Sequence, residues 1–273
     1  MNQIIKGMSE KSYSERNEYI RSSLLKKVIT EPLSTVKCII DGTIKYESDA
    51  MKMGTAFHNL LLEGKKDYVI KPETYAYGKK WTRAAKYCAD WEDAQTLPIV
   101  SAREVESLEG MVKAIHAHPE LEPLLKGQCE LSIFVDKVAK LKCRIDLLPD
   151  DLDAPVIDFK KTRSANPEDF TKDFFNLKYY LSCAMYLDVL HAVDIHRKEF
   201  WYVAIEDRYP FNIWICKCVD RPISFIEFGR KEYRQAYHKL MRAMQTGEWP
   251  TYKSSEPEEH MTAWMQNALE SVA

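Results

Sequence analysis

Residues 155–162, PVIDFKKT, place an acid and a lysine two positions apart, directly after an apolar run. The run predicts a buried strand, in which a charge without a partner is costly. Residues two apart in a strand face the same side, so Asp158 and Lys160 point together. Either the pair forms an ion pair at the exposed end of the strand, or it has a chemical role there.

A second alternating segment, LKCRIDLLP over 141–149, carries Arg144 and Asp146 on one face. The short turn PDDLDA joins the two segments and predicts a hairpin that brings Asp146 close to Asp158. Converging carboxylates are typical ligands of a hard divalent cation, Mg²⁺ or Mn²⁺. Such a cation activates a bound water and polarises a phosphoryl oxygen. With Lys160 beside them to orient that water or offset charge, the two acids predict phosphodiester hydrolysis.

The first 126 residues are predicted to be largely helical, behind a polar and loosely ordered segment at 1–16. In one predicted helix, Met53 and Phe57 begin an apolar face that continues at i+7 and i+8, and His58 lies on its polar side. A short strand is predicted at KDYVIKP. The predicted helices span 17–40 with a break at Pro32, about 48–64, 79–96 and 101–126.

From residue 128 the pattern changes to β-β-β-α-β-β-α. Three alternating strands, CELSIFVDK, KLKCRIDLL and PVIDFKK, precede a single long helix over 174–192. Two strands of high β-propensity follow, KEFWYVAIE and FNIWICKCV. A final helix over 223–246 ends at Gly247. These strands and helices, which follow a largely helical N-terminal region, predict a mixed α/β chain.

Composition restricts the function classes. The net charge is −2, so strong general affinity for nucleic acid is not expected, and a polyanion would need locally concentrated positive charge. Seven cysteines without a CxxC pair favour a reducing, cytoplasmic setting and argue against zinc or iron–sulfur sites. We expect no membrane association, because no apolar run approaches the ~18–20 residues that span a bilayer.

The ordered set GTAFH, CELSIF, CRIDLL, VIDFKKT, YYLSCAMY and TGEWPTY lies within about residues 20–252. It resembles the PD-(D/E)xK nuclease superfamily, and in particular the RecE-type (exonuclease VIII-like) phage and prophage exonucleases, which are related to RecB-like and lambda-exonuclease-like nucleases. Ile145 stands where the motif has proline. The resemblance implies an α/β fold with a restriction-endonuclease-like core, a mixed central sheet flanked by helices, and an N-terminal helical extension.

That resemblance also implies a division of the chain and roles for single residues. Residues 1–126 would form the helical region that contributes the histidine, 127–252 the nuclease core and 253–273 a tail. Lys160 would orient the attacking water, and Glu130 would support the metal or the lysine. The implied metal ligands are His58, Asp146, Asp158 and the backbone carbonyl of Phe159.

Further candidates concern the substrate. Tyr186 matches the tyrosine of the family's Q-x-x-x-Y helix, which approaches the DNA backbone or the lysine, and Ser182 takes the position of the glutamine. Arg163 and Lys178 are candidate phosphate-binding residues, since phosphate contacts need cations near the site. Other interpretations stay open for three of these residues. His58 could be a structural histidine, and Tyr186 could be a core residue. Glu130 could occupy a solvent-facing position on its strand.

We expect Mg²⁺-dependent hydrolysis of DNA, with Mn²⁺ able to substitute. The resemblance implies processive 5′→3′ digestion of linear double-stranded DNA ends in recombination, a single-strand annealing protein as partner, and a homo-oligomeric ring. One alternative is a RecB-like nuclease on single-stranded or flap DNA. The other is a catalytically inactive, nuclease-derived module that binds DNA or protein, which Ser182 favours and the retained Asp146, Asp158 and Lys160 oppose.

Overall fold

The structure is a computed structural model that describes residues 2–44, 49–136 and 139–254. In chain order its strands are β1 (Gln3–Ile5), β2 (Val69–Ile70), β3 (Thr74–Tyr75), β4 (Lys79–Lys80), β5 (Ile99–Val100), β6 (Gly127–Val135), β7 (Leu141–Pro149), β8 (Val156–Thr162), β9 (Glu199–Glu206) and β10 (Ile213–Val219). Its α-helices are α1 (Glu10–Glu15), α2 (Ser22–Thr30), α3 (Leu33–Ile40), α4 (Asp49–Glu63), α5 (Lys86–Asp93), α6 (Ala102–His116), α7 (Pro167–Asn176), α8 (Tyr179–His191) and α9 (Phe225–Thr246).

A six-stranded mixed sheet in the order β1-β6-β7-β8-β9-β10 forms the centre. Neighbouring strands are antiparallel except β8 and β9, which run parallel. Helices α7 and α8 make the crossover between these two, as a parallel pair requires. This arrangement confirms the predicted α/β core with a mixed sheet flanked by helices.

Helices cover the two faces of the sheet with separate apolar cores. One core contains side chains of α2, α3, α7, α8 and α9, and the other contains side chains of α4 and α6. Along β8, Val156 belongs to the first core, whereas Ile157 and Phe159 belong to the second. The strand is apolar on both faces because both faces are covered, which places Asp158 and Lys160 on the α8 side.

Helices α8 and α9 pack closely where Gly229 meets the carbonyl of Tyr180. A Cβ atom at Gly229 would lie 2.2 Å from that carbonyl oxygen and 3.0 Å from the Cβ of Ala184. The Tyr180 carbonyl belongs to the backbone and the Ala184 side chain is a single methyl group, so neither can move aside by a rotamer change. The absence of a side chain at Gly229 therefore sets the distance between the helices.

We expect Gly229→Ala to lower the free energy of unfolding by roughly 1–3 kcal/mol, because overpacking outweighs the ~1 kcal/mol that alanine gains in helix propensity. Gly54 is a matched control, since it is also helical but a Cβ there meets nothing within 4 Å. Gly54→Ala should leave the melting temperature unchanged or raise it. Equal melting temperatures for both variants in a thermal denaturation would contradict the close contact.

The prediction that residues 1–16 are loosely ordered is wrong. Strand β1 pairs antiparallel with β6, from Gln3 opposite Phe134 to Ile5 opposite Ser132. Lys142 of β7 holds the segment that follows, since its ammonium donates to the carbonyl oxygens of Tyr13 at 2.7 Å and Arg16 at 2.9 Å. These contacts are long-range, so local composition does not reveal them.

Two predicted helices also differ from the structure. The helix expected over 174–192 is two helices, because Lys178 adopts a left-handed conformation with φ 51° between them. Helix α7 starts earlier, with Asn166 as its N-cap and Pro167 in its first turn, a start signal that the sequence does carry. Of the stretch 79–96, only α5 is helical, and β4 precedes it.

Other predicted elements are confirmed. Helices α2 and α3 meet at Pro32, the strand in KDYVIKP is β2, and α9 ends at Gly247 with φ 74°. The stretch 101–126 is helical as α6 up to His116. The predicted helix start at Ser48 and the tail from residue 255 lie outside the described residues. In the part of the chain that the structure covers, no helix is both long and apolar enough to cross a bilayer.

Candidate active site

The site begins where β7 and β8 separate. Leu147 opposite Ile157 is the register pair that joins these strands. The next positions away from the turn are Asp146 and Asp158. There the backbone N–H of Phe159 donates to the Asp146 carboxylate at 2.9 Å. A buried N–H needs an acceptor. The side chain of Asp146 is that acceptor, in the place of a backbone carbonyl of the neighbouring strand, and a gap therefore opens between the strands.

Helix α4 fills one side of this gap with His58. Its Nε2 lies 3.0 Å from the backbone oxygen of Phe159. Its Nδ1 lies 3.6 Å from a carboxylate oxygen of Asp146 and 3.8 Å from one of Glu130. The structure therefore brings together His58, Glu130, Asp146 and the Phe159 carbonyl, which come from four different elements.

Glu130 reaches the site through an irregularity in β6. Its φ is 51°, which is uncommon for a residue other than glycine. The register of β6 with β7 passes from Cys129 opposite Leu147 to Leu131 opposite Ile145, without a regular pair at Glu130. Such strained positions persist where surrounding contacts hold them, and here Arg144 forms an ion pair with the Glu130 carboxylate.

Asp158 and Lys160 form an ion pair on the α8 side of the sheet. Asp158 is buried, and its Oδ1 is the atom that lies against the lysine ammonium. The Lys160 ammonium lies 5.6 Å from the ring centre of Tyr179 and 5.8 Å from that of Tyr202. The two rings stack at 5.1 Å, so an aromatic wall fixes where the ammonium lies.

The charges in the gap determine which groups hold protons. Burial lowers the pKa of His58, but Asp146 and Glu130 outweigh burial and raise it to about 9. Burial and then repulsion by Asp158 raise the pKa of Asp146 to about 7. Burial also acts against the charge on Lys160, yet attraction by Asp158 and Asp146 raises its pKa above the ordinary value. Near neutral pH the lysine is therefore an ammonium and the imidazole is protonated.

These residues fit a divalent cation. Ligand atoms of His58, Glu130 and Asp146 all lie within 4.8 Å of one another. Among the described residues, no other group of three or more His, Cys, Asp and Glu side chains meets this distance, and Asp158 is not part of the group. The Asp158 carboxylate, paired with Lys160, and the Phe159 carbonyl supply further oxygens next to it. An oxygen-rich set with one imidazole suits Mg²⁺ and Mn²⁺ better than soft metals.

Residues 22–260 match the model of a family described as "PDDEXK-like domain of unknown function (DUF3799)". The chain belongs to this family. A search of the curated proteins found no match. The PDDEXK-like domain is also similar to a solved structure described as a "Putative exonuclease" from Eubacterium rectale, with a TM-score of 0.65 and 13% identity over 95% of this chain and 100% of that one. The superfamily and fold predictions are thereby confirmed, whereas the RecE-type branch stays a prediction.

Four further candidates in this PDDEXK-like domain have other direct partners, and one of them, Tyr186, lies near Asp158 and Lys160. Ser182 contacts the hydroxyl of Ser22 at 3.3 Å. The Tyr186 ring packs edge-on against Phe200 with centres 6.0 Å apart, and burial and the nearby Asp158 raise the pKa of its hydroxyl, whereas Lys160 lowers it. The remaining two are cations, and their substrate roles stay predictions: Lys178 lies 3.7 Å from Glu232 and 3.1 Å from the Tyr180 hydroxyl, and Arg163 is exposed after β8.

Sequence reasoning missed Arg144, Tyr179 and Tyr202 as parts of the site. Arg144 had a usable signal, since it shares a strand face with Asp146 and pairs across to β6. The two tyrosines had none, because both occur in apolar segments where an aromatic residue indicates core packing.

The metal-free protein is expected to lose stability as the pH rises. Stability from His58 is fully present below its unfolded pKa of ~6.5 and is lost through its folded pKa of about 9. The raised pKa of Asp146, about 7, acts in the same direction between pH ~4 and 7, because the folded state prefers the protonated acid. The shift of His58 alone corresponds to a loss of about 3 kcal/mol between pH 5 and 9.

Urea denaturation of EDTA-treated protein at pH 5, 7 and 9 measures this dependence. The variant His58→Gln should flatten the curve between pH 7 and 9, because glutamine does not titrate. A wild-type midpoint that stays constant or rises from pH 5 to 9 would contradict the proton balance described above.

Proposed function

We propose that this chain is a divalent-metal-dependent deoxyribonuclease that hydrolyses phosphodiester bonds. The observation that carries the proposal is the gap between β7 and β8, where His58, Glu130 and Asp146 converge and the Asp158–Lys160 ion pair lies next to Asp146. Three of these residues belong to the motif that the sequence predicted, and the family match supports a nuclease domain.

We propose Mg²⁺ as the cofactor, with Mn²⁺ able to substitute. Asp146, Asp158, the Phe159 carbonyl and His58 would hold it, with Glu130 as an additional or supporting ligand. A bound Mg²⁺ would polarise the phosphoryl oxygen and lower the pKa of a water. Since His58 is protonated near neutral pH in the metal-free state and the pKa of Asp146 is raised, loading would release protons and improve as the pH rises.

Lys160 acts as a hydrogen-bond donor in this proposal. Its pKa is raised by Asp158 and Asp146, so it cannot accept a proton from water near neutral pH. It can donate to the attacking water or to a phosphate oxygen, and offset negative charge in the transition state. The rings of Tyr179 and Tyr202 limit its movement, so its direction is set before substrate arrives.

The finer activity that we propose is processive 5′→3′ digestion of linear double-stranded DNA ends during recombination. Its support is the resemblance to RecE-type exonucleases, which also suggests a ring of identical subunits and a single-strand annealing partner. The seven free cysteines support a reducing compartment, the cytoplasm of a bacterial or phage-infected cell.

End-labelled DNA tests the proposal directly. The purified chain is incubated with linear duplex labelled at either the 5′ or the 3′ end, with Mg²⁺, Mn²⁺ or EDTA. Acid-soluble nucleotides that appear only with metal, and first from the 5′ label, are the expected result. Covalently closed plasmid should resist digestion. No hydrolysis with either metal would overturn the proposed function.

Two other outcomes identify the alternatives. Digestion of single strands or flaps in preference to duplex ends indicates the RecB-like activity. Retention of DNA on a filter without hydrolysis, equal with metal and with EDTA, indicates an inactive binding module, and Ser182 in the place of the family's glutamine is the residue that favours this outcome.

A further inference from the structure

A second lysine approaches the aromatic wall from helix α2. The Lys26 ammonium lies 5.0 Å from the ring centre of Tyr179, the same ring that Lys160 approaches at 5.6 Å. The two lysines are 134 positions apart in sequence, and no motif connects them. Helix α2 therefore brings an additional positive charge to the side of the site where Asp158 and Lys160 lie.

Lys26 has no carboxylate within ion-pair distance among the described residues, although it is half-buried. Its neighbour Lys27 does have one, in Glu31 at 3.3 Å. Lys142 offers the other comparison, because its buried ammonium donates to backbone carbonyls and so has a structural role. In the described part of the chain Lys26 has no hydrogen-bond or ion-pair partner of either kind, and its ammonium lies over the ring of Tyr179.

The electrostatic surroundings of Lys26 are short of negative charge. Burial and then repulsion by Lys160 lower its pKa to about 7, even though Asp158 raises it. Lys178 adds further repulsion, whereas the carboxylate of Asp158 attracts both Lys26 and Lys160. An anion placed between them would relieve this repulsion and gain charge-assisted hydrogen bonds.

Helix α2 is fixed to its neighbours, so Lys26 does not have to be ordered when a ligand binds. Ser22, one turn before Lys26, contacts Ser182 of α8 at 3.3 Å. On the opposite side, the ammonium of Lys239 of α9 donates to the carbonyl of Val28 at 3.2 Å. The lysine head is thus presented by a rigid element, which lowers the entropic cost of binding.

We propose that Lys26 binds a DNA phosphate next to the bond that is cleaved, on the Tyr179 side of Lys160. The proposal rests on the proposed function and assigns a substrate-binding residue outside the nuclease motif. A guanidinium at this position would serve equally as a phosphate ligand, whereas an uncharged side chain of the same length would not.

Three variants test it: Lys26→Met, Lys26→Arg and the control Lys27→Met. Cleavage of linear duplex with Mg²⁺ is measured as kcat/KM, and binding of a labelled duplex in EDTA is measured over a range of salt concentrations. For Lys26→Met we expect kcat/KM to fall roughly 10- to 100-fold. The slope of log affinity against log salt should fall by about 0.9, the value for one phosphate contact. Lys26→Arg should retain most of both quantities, and Lys27→Met should match the wild type.

Duplexes with a 5′-phosphate and with a 5′-hydroxyl show whether Lys26 binds an internal phosphodiester or the terminal 5′-phosphate. An equal loss on both identifies an internal phosphodiester, and a loss only with the 5′-phosphate identifies the terminal group. A melting temperature of Lys26→Met equal to that of Lys27→Met shows that folding is intact. If Lys26→Met does not fold, Lys26→Gln is measured in its place.

A Lys26→Met enzyme with wild-type kcat/KM and wild-type salt slope would overturn the assignment of Lys26 while leaving the nuclease proposal in place. If the wild type hydrolyses no DNA, the proposed function fails instead. In that case the salt slope in EDTA still decides whether Lys26 contacts a phosphate.

Discussion

Asp158→Asn is expected to reduce DNA hydrolysis by roughly 1,000-fold or more. The carboxylate is buried next to the gap between β7 and β8, and it is the ion-pair partner of Lys160. Asparagine keeps the volume but removes the charge on which both the cation and the lysine depend. Loss of several kcal/mol of charge stabilisation corresponds to this effect, since each 1.36 kcal/mol is tenfold in rate.

Initial rates with Mg²⁺ and calorimetric titration with Mn²⁺ measure the two consequences. Both turnover and Mn²⁺ affinity should fall, while thermal denaturation shows a folded protein. Asp188→Asn is the control, because that carboxylate is paired with Arg230 and not with site residues. Full cleavage by Asp158→Asn would place the catalytic centre elsewhere in the molecule.

Lys160→Met is the second large effect that we expect, with a fall in turnover of roughly 100- to 1,000-fold. The methionine keeps an unbranched stem against Tyr179 and Tyr202, so packing should be preserved. Metal affinity should change little or rise, because the substitution removes a positive charge next to the ligands. The separation of turnover from affinity distinguishes Lys160 from a metal ligand such as Asp158.

The neighbouring residue provides a strict control. Lys161 has the same type of side chain, but its ammonium is paired with Asp207 at 2.9 Å. Single-turnover rates with saturating DNA should fall for Lys160→Met and not for Lys161→Met. Equal losses in both variants would mean that the positive charge of the strand end, and not a directed ammonium, supports the reaction.

Much of the nuclease core was predictable because its signals are local. Alternation of apolar residues determines a strand by itself, and the apolar face of α4 places His58 opposite to it. The meeting of Asp146 with Asp158 follows from one short turn and the two-residue repeat of strands. These inferences need only chain geometry, so no knowledge of distant contacts is required.

The parts that could not be predicted depend on distant contacts. Strand β1 is only Gln3–Ile5, too short for a periodic signal, and it is stabilised by pairing with β6 over 120 residues later. The left-handed turn at Lys178 divides α7 from α8 at a residue without glycine's conformational freedom. Tyr179 and Lys26 acquire their positions near Lys160 only when α2, α8 and β8 pack together.

Predictions about function divide in the same way. The predicted ligands Asp146, Asp158 and Phe159 lie on two neighbouring strands of one motif, so their types alone indicate the chemistry. Digestion polarity, assembly into a ring and the partner protein depend on surfaces that a single chain's motif does not encode. For these properties the experiments above are needed, whereas the fold and the family are established.

The attachment of the first strand has a consequence for how the protein is handled. Glu10 of α1 lies 2.9 Å from Arg144, which in turn holds Glu130. Proteolytic trimming of the first sixteen residues would cut this link and leave β6 as an unprotected sheet edge, which invites aggregation through strand pairing. Limited digestion of this segment is therefore expected to disturb the position of Glu130 as well as solubility.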